Sequence, residues 1–581
     1  MSTYKHGIAT KSSGAVGITQ SKTTYSAQVI IGTLPINTLK NPKDAVNSII
    51  LLENSEDMDN LVGKTNEIEK YTAMQGVYAS LKVHKVAPVV VINVLDPDKS
   101  QHTQAVVGKE YDVVNKMVVI EDTGVLLDKV VVSENETTYK ADDDYVASIN
   151  SEGYLVIALT NDGAASSLQK LNISYVKLNP DGVTAEDIIG GIDEKGVRSG
   201  IELLDEVFIN TGVIPAIVTA PVFSKQKEVA AALEAKVRLI GSLHNAKAYV
   251  DIDSSESGAV SVFNVAKVKE KNVPQSELID ACWPMVNKNG NMLAFSSFAA
   301  ALAQAVAAEN GDIPDGIDNR ELLVDGVCTE DGTPVKVIQG DANSYLNANG
   351  IITAIRLPEW KAWGNNTAMY PASKDPTKRW SKCVMMLNYL QNRFKTEYLS
   401  KVGRNAKVKF IKGIVDEYNA SLNALAPDYL AGVTDEVTLP NFENVSETLN
   451  LAGTVGEIDS PSAGQYKSAT IDIPFTQVSK EAFGIMCDDS TSIILKSVQE
   501  IFNTETLKKT HIVRTITIKG MTKGHDYGKL KKGGYGNPTI KKEVIYYKDQ
   551  VGEDVIEEID KFNGKAVING EDVLGNVASL I

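Results

Sequence analysis

The sequence has few cysteines and no apolar run of the length that a membrane helix needs. Its 581 residues include four cysteines, none in a C-x-x-C pair, so neither a zinc site nor a disulfide framework is indicated. Apolar stretches stay below the roughly eighteen residues of a membrane helix, and the opening MSTYKHGIATKSSG lacks the apolar core of a secretory signal. We expect no membrane insertion and a protein kept in a cytoplasm, with reduced, mostly buried thiols at Cys282, Cys328, Cys383 and Cys487.

Positive charge is also in short supply. The chain has 58 lysines and arginines against 74 aspartates and glutamates, a formal net charge of -16 at pH 7. A protein that coats nucleic acid needs the opposite sign, because its surface must attract phosphates. The 43% hydrophobic and 23% charged residues are ordinary for a globular protein. The length exceeds what one hydrophobic core serves, so we expect about three or four domains.

The common catalytic motifs are missing. No H-E-x-x-H spacing, G-x-S-x-G elbow or cysteine paired with a motif-bearing histidine occurs, and the histidines have no evident base partner. These histidines are His6, His84, His102, His244, His511 and His525. We interpret them as surface or core residues, and we expect no enzyme, no catalytic residue and no cofactor.

Gly63-Lys64-Thr65 has the ending of a phosphate-binding loop. The motif also needs a glycine five positions before Gly63, where this chain has Met58. The backbone cradle for phosphates is therefore absent, which argues against nucleotide binding.

Asp251 and Asp253, followed by Ser254 and Ser255, form an Asp-x-Asp-Ser-Ser sequence directly after an apolar segment. Carboxylate and hydroxyl oxygens in this order could bind a hard cation, as in a metal-ion adhesion site. The same side chains could instead cap the end of a strand through local hydrogen bonds, which is the simpler interpretation. The metal interpretation leads to an alternative function, a metal-binding α/β enzyme or adhesin using Asp251 and Asp253.

The first hundred residues predict an arm followed by a strand, a helix and a strand. Residues 1–25 are rich in Ser, Thr, Gly and Lys and cannot bury themselves. Ala27–Gly32 and Ala87–Leu95 are apolar throughout, and Tyr71–Lys82 has helical spacing between them. This order indicates a βαβ unit and a parallel sheet.

Two kinds of pattern follow. Short alternating runs such as Lys129–Ser133 and Tyr154–Leu159 predict an antiparallel β domain inserted in the α/β core. The core pattern then returns with further predicted strands and helices, at Ile214–Pro221, Lys225–Leu243, Ala248–Ile252 and the alanine-rich Met292–Glu309.

The stretch Leu357–Arg379, LPEWKAWGNNTAMYPASKDPTKR, predicts a folded aromatic loop, a buried corner around Trp360 and Trp363 that precedes a helix near Lys378. This loop resembles the signature region of contractile phage tail sheath proteins. The segments AQVIIGTLPIN, VIPAIVTAPVFS, AYVDIDSS and AAALAQAVAAENGDIP stand in the order and spacing of that family. The resemblance covers about residues 1–430.

The end of the chain resembles a second family, the phage major tail tube protein. The resemblance rests on the alternating stretch Val433–Phe475 and on the last strands, Lys541–Lys548 and Val555–Val577. The end of the sheath-like region and the start of the tube-like region fall in the same segment, LNALAPDYLAGVTDEV. The boundary therefore lies between about residues 405 and 433. A natural fusion, an engineered chain or a recombined gene would each give this join.

The resemblance implies an α/β sheath core with an inserted antiparallel β domain, followed by a mainly β tail tube domain, a β-sandwich or barrel that closes as a hexameric ring. The implied domains are an N-terminal arm (1–25), the first part of the core (26–100), the inserted domain (101–184), the second part of the core (185–404), a helix and junction (405–432) and the tube-like domain (433–581).

The resemblance also implies a structural role in the tail of a virion or of a phage-tail-like particle, assembled in the bacterial host cytoplasm. Partners would be further copies of the chain in hexameric rings and tubes, with baseplate and tail terminator proteins and DNA passing through the lumen. Lys529, Lys531 and Lys532 lie in the basic, glycine-rich GKLKKGGYG and are candidate lumen or nucleic-acid contacts, although a hairpin tip or ring-to-ring contact would have the same composition. The acidic stretch Asp549–Asp560 fits either a solvated strand edge or a channel wall that does not hold a polyanion.

Joining sheath to tube in one chain limits their separation. A linker of about twenty residues spans at most roughly 70 Å when extended. A sheath that slides and widens around its tube would have to move farther, so we expect this chain to hold the tail in one state or to be cut near the join.

Overall fold

The computed structural model describes residues 24–401 except 136, residues 408–425, residue 429 and the backbone of several strands between 486 and 572. The chain divides into two compact units, Met1–Arg393 and Phe394–Ile581. Within the described residues, no helix is both long and apolar enough to cross a membrane.

The strands of the first unit are, in chain order, β1 (Ala27–Gly32), β2 (Ile49–Leu52), β3 (Val89–Asn93), β4 (Thr103–Asp112), β5 (Met117–Ile120), β6 (Val131–Glu134), β7 (Thr137–Thr138), β8 (Tyr145–Ile149), β9 (Leu155–Leu159), β10 (Lys170–Leu178), β11 (Gly191–Ile192), β12 (Arg198–Ser199), β13 (Pro215–Thr219), β14 (Lys247–Asp251), β15 (Ile279–Cys282), β16 (Met285–Lys288), β17 (Asn291–Leu293), β18 (Gly326–Cys328), β19 (Ile351–Leu357) and β20 (Glu359–Trp363). The α-helices are α1 (Thr72–Val77), α2 (Ala185–Ile189), α3 (Leu204–Thr211), α4 (Lys227–Val237), α5 (Val265–Asn272), α6 (Phe295–Glu309), α7 (Gln339–Asp341), α8 (Pro376–Arg379) and α9 (Ser381–Tyr398), which ends in the second unit.

The core is a sheet of eight strands in the order β2-β3-β1-β13-β14-β15-β19-β20. Its inner neighbours pair in parallel, while β2 and β20 pair antiparallel at the two edges. Every residue of β1, β3 and β14 is buried, as expected for parallel strands covered on both faces. The predicted parallel α/β core is confirmed, and the antiparallel edges are an addition to that prediction.

The helices lie where the helical spacing predicts them, although their bounds differ. The predicted helix Tyr71–Lys82 is α1 continued by a stretch of wider helix, Tyr78–His84, which ends two residues later than predicted. Helix α4 ends before the predicted Leu243, because the chain turns at Gly241, whose φ is +57°. Helix α6 starts three residues after Met292, which belongs to β17. Its alanines let it pack closely, and most of its residues are buried.

The residues between β3 and α2 form an antiparallel module, as the alternating runs predict. One sheet has the order β4-β10-β6-β7 and the other β5-β9-β8. The inward side chains of both sheets, among them Ile157, Ile173 and Tyr175, form a hydrophobic core of their own. The module therefore has a core separate from that of the α/β sheet.

The second unit contains helix α10 (Val408–Leu425), which matches the predicted helix. The rings of Phe394 and Tyr418 meet edge to face, with centroids 4.7 Å apart. The strands described further on are β21 (Met486–Asp488), β22 (Ser492–Asn503), β23 (Lys508–Lys519), β24 (Glu543–Lys548) and β25 (Asp554–Ile559), with the pair β26 (Val567–Ile568) and β27 (Glu571–Asp572). Strands β21 to β25 form an antiparallel sheet in chain order. The stretch Val433–Phe475 lies outside the described residues.

Candidate functional site

Asp251, one of the two candidate metal ligands, is the last residue of β14 and is buried. Its carboxylate accepts hydrogen bonds from the backbone N–H groups of Val222 (3.2 Å) and Ser296 (2.9 Å) and from the hydroxyls of Ser224 (3.1 Å) and Ser296 (2.7 Å). Burial raises the pKa of Asp251, and these hydrogen bonds offset part of that rise. Ser296 lies in the first turn of α6, so the carboxylate satisfies free donors of the helix and sits at the positive end of its dipole.

Asp253 is engaged in the loop after β14. Its carboxylate accepts the N–H of Ser255 at 3.0 Å, and its carbonyl accepts the N–H of Ala259 at 2.8 Å. No group of three or more histidine, cysteine or acidic side chains that could hold a metal ion occurs among the described residues. Four donors occupy the Asp251 oxygens that a cation would need. The geometry therefore favours the strand-end cap over the metal interpretation.

A lysine, a serine and an aspartate meet where α9 begins on the core sheet. The Nζ of Lys247 on β14 lies 2.8 Å from Asp280 Oδ1 on β15 and donates to Ser381 Oγ at 2.8 Å. The Ser381 hydroxyl in turn donates to Asp280 Oδ2 at 2.5 Å. The combination of lysine, serine and aspartate resembles a catalytic arrangement. All three side chains are buried, so no substrate can reach them. The role of the group is to attach α9 to the sheet.

The sequence offers little sign of this group, because Asp280 and Ser381 are 101 residues apart and Lys247 lies 33 residues before Asp280. The one available signal is a lysine directly before the apolar residues Ala248, Tyr249 and Val250. A buried lysine needs an anionic partner, but only the strand register identifies Asp280 as that partner.

The aromatic stretch is partly a strand, which corrects the predicted loop. Trp360 and Trp363 lie on β20, which pairs antiparallel with β19, and both side chains are half-buried rather than fully buried. The Trp360 indole donates to the carbonyl of Asp325 at 3.0 Å, and the Trp363 indole donates to Asn343 Oδ1 at 3.0 Å. The sequence does not indicate this strand, because the two tryptophans are three residues apart, whereas side chains on one face of a strand recur every two residues.

The remainder of this stretch is held by one lysine. The Nζ of Lys269 on α5 donates to the carbonyls of Asn349, Ala368 and Tyr370 at 2.6, 2.8 and 3.0 Å. Three carbonyls match the three donors of an ammonium group. Burial lowers the pKa of Lys269 to about 8. The contact is structural, since all three donors of the ammonium group are used within the chain.

Gly63-Lys64-Thr65 lines an open cleft of about 1200 Å³ between loops of the core and the inserted module. Gly63 has a φ of +91°, and a Cβ there would lie 2.2 Å from the carbonyl oxygen of Pro35. Lys64 pairs with Asp59 at 3.4 Å. The glycine therefore allows a close approach of two backbones.

His102 has an acidic partner that the sequence does not reveal. Its Nε2 lies 3.2 Å from Asp187 Oδ2, and its Nδ1 accepts the N–H of Asp96 at 3.1 Å. Asp187 also accepts from Lys99 Nζ at 2.5 Å and from the hydroxyl of Thr184 at 2.8 Å. Burial would raise the pKa of Asp187, but hydrogen bonds from Lys99, Thr184 and His102 outweigh it and hold the pKa well below its ordinary value. The contact joins the two chain segments that enter and leave the inserted module.

The remaining residues singled out in the sequence are the cysteines, the three lysines and the acidic stretch, and only some of them lie in the part of the chain that the structure describes. Cys282, Cys328 and Cys383 are buried thiols outside any disulfide, as predicted. Lys529, Lys531 and Lys532 lie outside the described residues, as do the side chains of Cys487 and of the acidic stretch Asp549–Asp560.

Comparison with known proteins gives two different matches within the one chain. Residues 425–581 match the family described as phage tail tube protein FII. The tail sheath protein of Burkholderia phage BcepMu is 26% identical over 381 residues, which are 63% of this chain and 75% of that protein. The tail sheath protein of Escherichia phage P2 is 26% identical over 250 residues, which are 42% of this chain and 59% of that protein.

Among solved structures, the sheath tail protein of Desulfitobacterium hafniense is 10% identical, with a TM-score of 0.40, and the alignment covers 89% of this chain and 100% of that one. The sequence matches confirm both resemblances. One chain thus combines similarity to tail sheath proteins over 381 residues with a match to the phage tail tube family at residues 425–581.

Proposed function

We propose that this chain is a structural component of a contractile phage tail or phage-tail-like particle, in which stacked hexameric rings of sheath are joined to an inner tube. The observation that carries the proposal is the presence of both matches in one continuous chain, with the tube match starting at Leu425. Leu425 is also the last residue of α10. Each copy of the chain would then supply one sheath unit and one tube unit.

The side chains of the core support a mechanical role. The groups that resemble a reactive site, Asp251 and the contact of Lys247, Asp280 and Ser381, are buried and occupied by hydrogen bonds within the chain. They hold helices to the sheet, as a subunit under mechanical load requires. Repeated head-to-tail contacts between such subunits generate rings and stacks.

The partners follow from the proposed particle. The rings would end at baseplate and tail terminator proteins, and DNA would pass through the lumen when the particle carries a genome. Lys529, Lys531 and Lys532 remain the candidate lumen contacts. Charge reversal of these three lysines should weaken the contact of the lumen with DNA without changing ring formation, because the contact is an attraction between lysines and phosphates.

Self-assembly of the purified chain tests the proposal. Sedimentation velocity over a hundredfold range of concentration should show growth from a subunit of 62.7 kDa to large particles, and negative-stain microscopy should show rings and tubes. A chain that stays monomeric at every concentration would contradict the proposal, as would turnover of a small molecule.

A further inference from the structure

Among the residues that the structure describes, one face of the inserted module is largely apolar and exposed. In the sheet β5-β9-β8 the register places Met117, Ala158 and Val146 in one row. The next row contains Val119, Val156 and the polar Ser148. In an antiparallel sheet the side chains of directly paired residues point to the same side. These six residues therefore form one continuous, largely apolar surface, which we call the β5–β9–β8 face.

The sequence of these strands indicates burial on both sides. Strand β5 reads MVVI and strand β9 reads LVIAL, so both are apolar at every position. Strands with one solvent-exposed face alternate apolar and polar residues, whereas continuous apolar runs are typical of strands covered on both faces. In the described part of the chain only one face is covered, by the core of the module. The pattern therefore calls for a partner on the other face.

Three side chains of this face are about half exposed, while the total apolar area of the face is modest. Val119 is 52% exposed, Met117 46% and Val146 45%. Val114 extends the surface, since it pairs with Met117 and is exposed. Such a patch is on the order of 300 Å², the size at which patches on a monomer mark interaction sites. A stable two-body interface needs roughly 800 Å² on each partner, so this face fits one of many repeated contacts.

Fixed contacts set the position of the module on each subunit. The Asp187 carboxylate accepts from Lys99 and Thr184, on either side of the module. On the core side, Lys70 Nζ donates to Thr123 Oγ1 of the module at 2.9 Å. Every copy of the chain therefore presents the β5–β9–β8 face in the same place.

We propose that the β5–β9–β8 face docks against a neighbouring copy of this chain in the assembled particle. This inference rests on the proposed function. A ring or stack of identical subunits brings together two different surfaces of its members, so the face meets another part of its neighbour rather than the same face. The favourable term is burial of the valine and methionine side chains away from water.

Two lysines on the face test the proposal. The variant Val119→Lys/Val146→Lys should raise the concentration at which assembly begins by about tenfold or more, because charges would have to be desolvated at the contact. Val131→Lys is the matched control, since Val131 is in the same module, is 46% exposed and lies on the other sheet. Light scattering measures assembly, and circular dichroism should give the same melting temperature for all unassembled chains.

Cysteine labelling supplies a second readout that does not depend on lost assembly. Cys282, Cys328 and Cys383 are buried, and the unmodified chain measures the background. In Val119→Cys a maleimide should react quickly with the unassembled subunit and at least about tenfold more slowly with assembled particles. Equal rates in the two states would overturn the inference, and slow labelling in both would mean that the chain covers this face itself, which also overturns it.

The outcomes separate this inference from the proposed function. If the unmodified chain assembles while the face variant assembles equally well, only the docking face is wrong. If the unmodified chain never assembles, the proposed function fails, and the docking face fails with it.

Discussion

At the scale of residues, Lys247 and Asp280 form a buried ion pair in the core. Lys247 is almost fully buried, and burial lowers its pKa, an effect that Asp280 opposes. An isolated charge in this position would be strongly unfavourable, while a hydrogen-bonded pair is tolerated. The Ser381 hydroxyl completes the contact by bonding to both partners.

Removal of one partner should therefore destabilise the subunit. Lys247→Met leaves the Asp280 carboxylate buried without its cation and should lower the free energy of unfolding by about 3 to 5 kcal/mol. Urea denaturation of the unassembled chain measures this loss. Lys247→Met/Asp280→Asn removes both charges and should recover part of it. Equal losses in the single and double variants would show that the pair does not account for the effect.

His84 gives the core a dependence on pH. Burial lowers the pKa of His84 to about 4, against the smaller effect of its backbone hydrogen bond to Leu322. The unfolded chain takes up a proton near pH 6.5, before the folded chain does, so stability should fall as the pH drops from about 7 to 4. The loss should reach at most about 3 kcal/mol, since each unit of pKa corresponds to about 1.4 kcal/mol.

The variant His84→Leu should remove this component, because it has no group to titrate. The free energy of unfolding, measured by urea at several pH values between 7 and 4.5, should fall less steeply than in the unmodified chain. Parallel curves for the two chains would contradict the assignment. Carboxylates titrate in both chains and cancel in the comparison.

At the scale of elements, Asp251 connects β14 to the start of α6. Asp251→Ala leaves the N–H groups of Val222 and Ser296 without their acceptor and should cost about 3 kcal/mol of unfolding free energy. Asp253→Ala is the matched control, since that half-buried carboxylate accepts only the Ser255 N–H among the contacts seen, and should cost less than about 1 kcal/mol.

The same pair of variants distinguishes capping from metal binding. Thermal unfolding of the unmodified chain should be the same in EDTA and in millimolar calcium or magnesium, because hydrogen bonds already occupy the carboxylate of Asp251. A melting temperature that rises with either cation and loses this response in both variants would restore the metal interpretation.

The elements that the sequence predicts best are those with one dominant period. The apolar run Ala27–Gly32 indicates the bounds of β1 directly. Strand β20 escapes prediction, because Trp360 and Trp363 are three residues apart and the neighbouring Gly-Asn-Asn indicates a turn. A turn signal close to a short edge strand outweighs the weak alternation of five residues.

Contacts between elements are the part that the sequence does not predict. The position of Asp251 identifies it as a strand-end residue, but its bonds to Ser224 and Ser296 depend on the packing of α6. The acidic partner of His102 escapes prediction for the same reason, since Asp187 lies 85 residues away, beyond the inserted module. Local patterns predict elements, whereas pairing depends on topology.

At the scale of the whole molecule, one covalent chain joins a sheath region to a tube region. The tube match begins at the last residue of α10, which leaves little chain to act as a linker. About twenty extended residues would span at most roughly 70 Å. We therefore predict that assembled particles made of intact chains do not contract.

Cleavage at the junction should release this restraint. Particles with a site-specific protease sequence inserted after residue 429 should stay extended until the protease is added, and microscopy should then show shortened, widened sheaths beside bare tubes. The same sequence inserted in the Gly191–Ser199 hairpin serves as the control for insertion alone. Contraction of uncleaved chains would mean that the join does not restrain the sheath.

The most direct test of the central claim, that each copy builds both layers of one particle, is a cryo-EM reconstruction of the assembled chain. The account predicts an inner tube and an outer sheath with equal numbers of subunits per ring and continuous density between them at residues 402–433. A particle with a single layer, or with two layers whose subunit numbers differ, would contradict it.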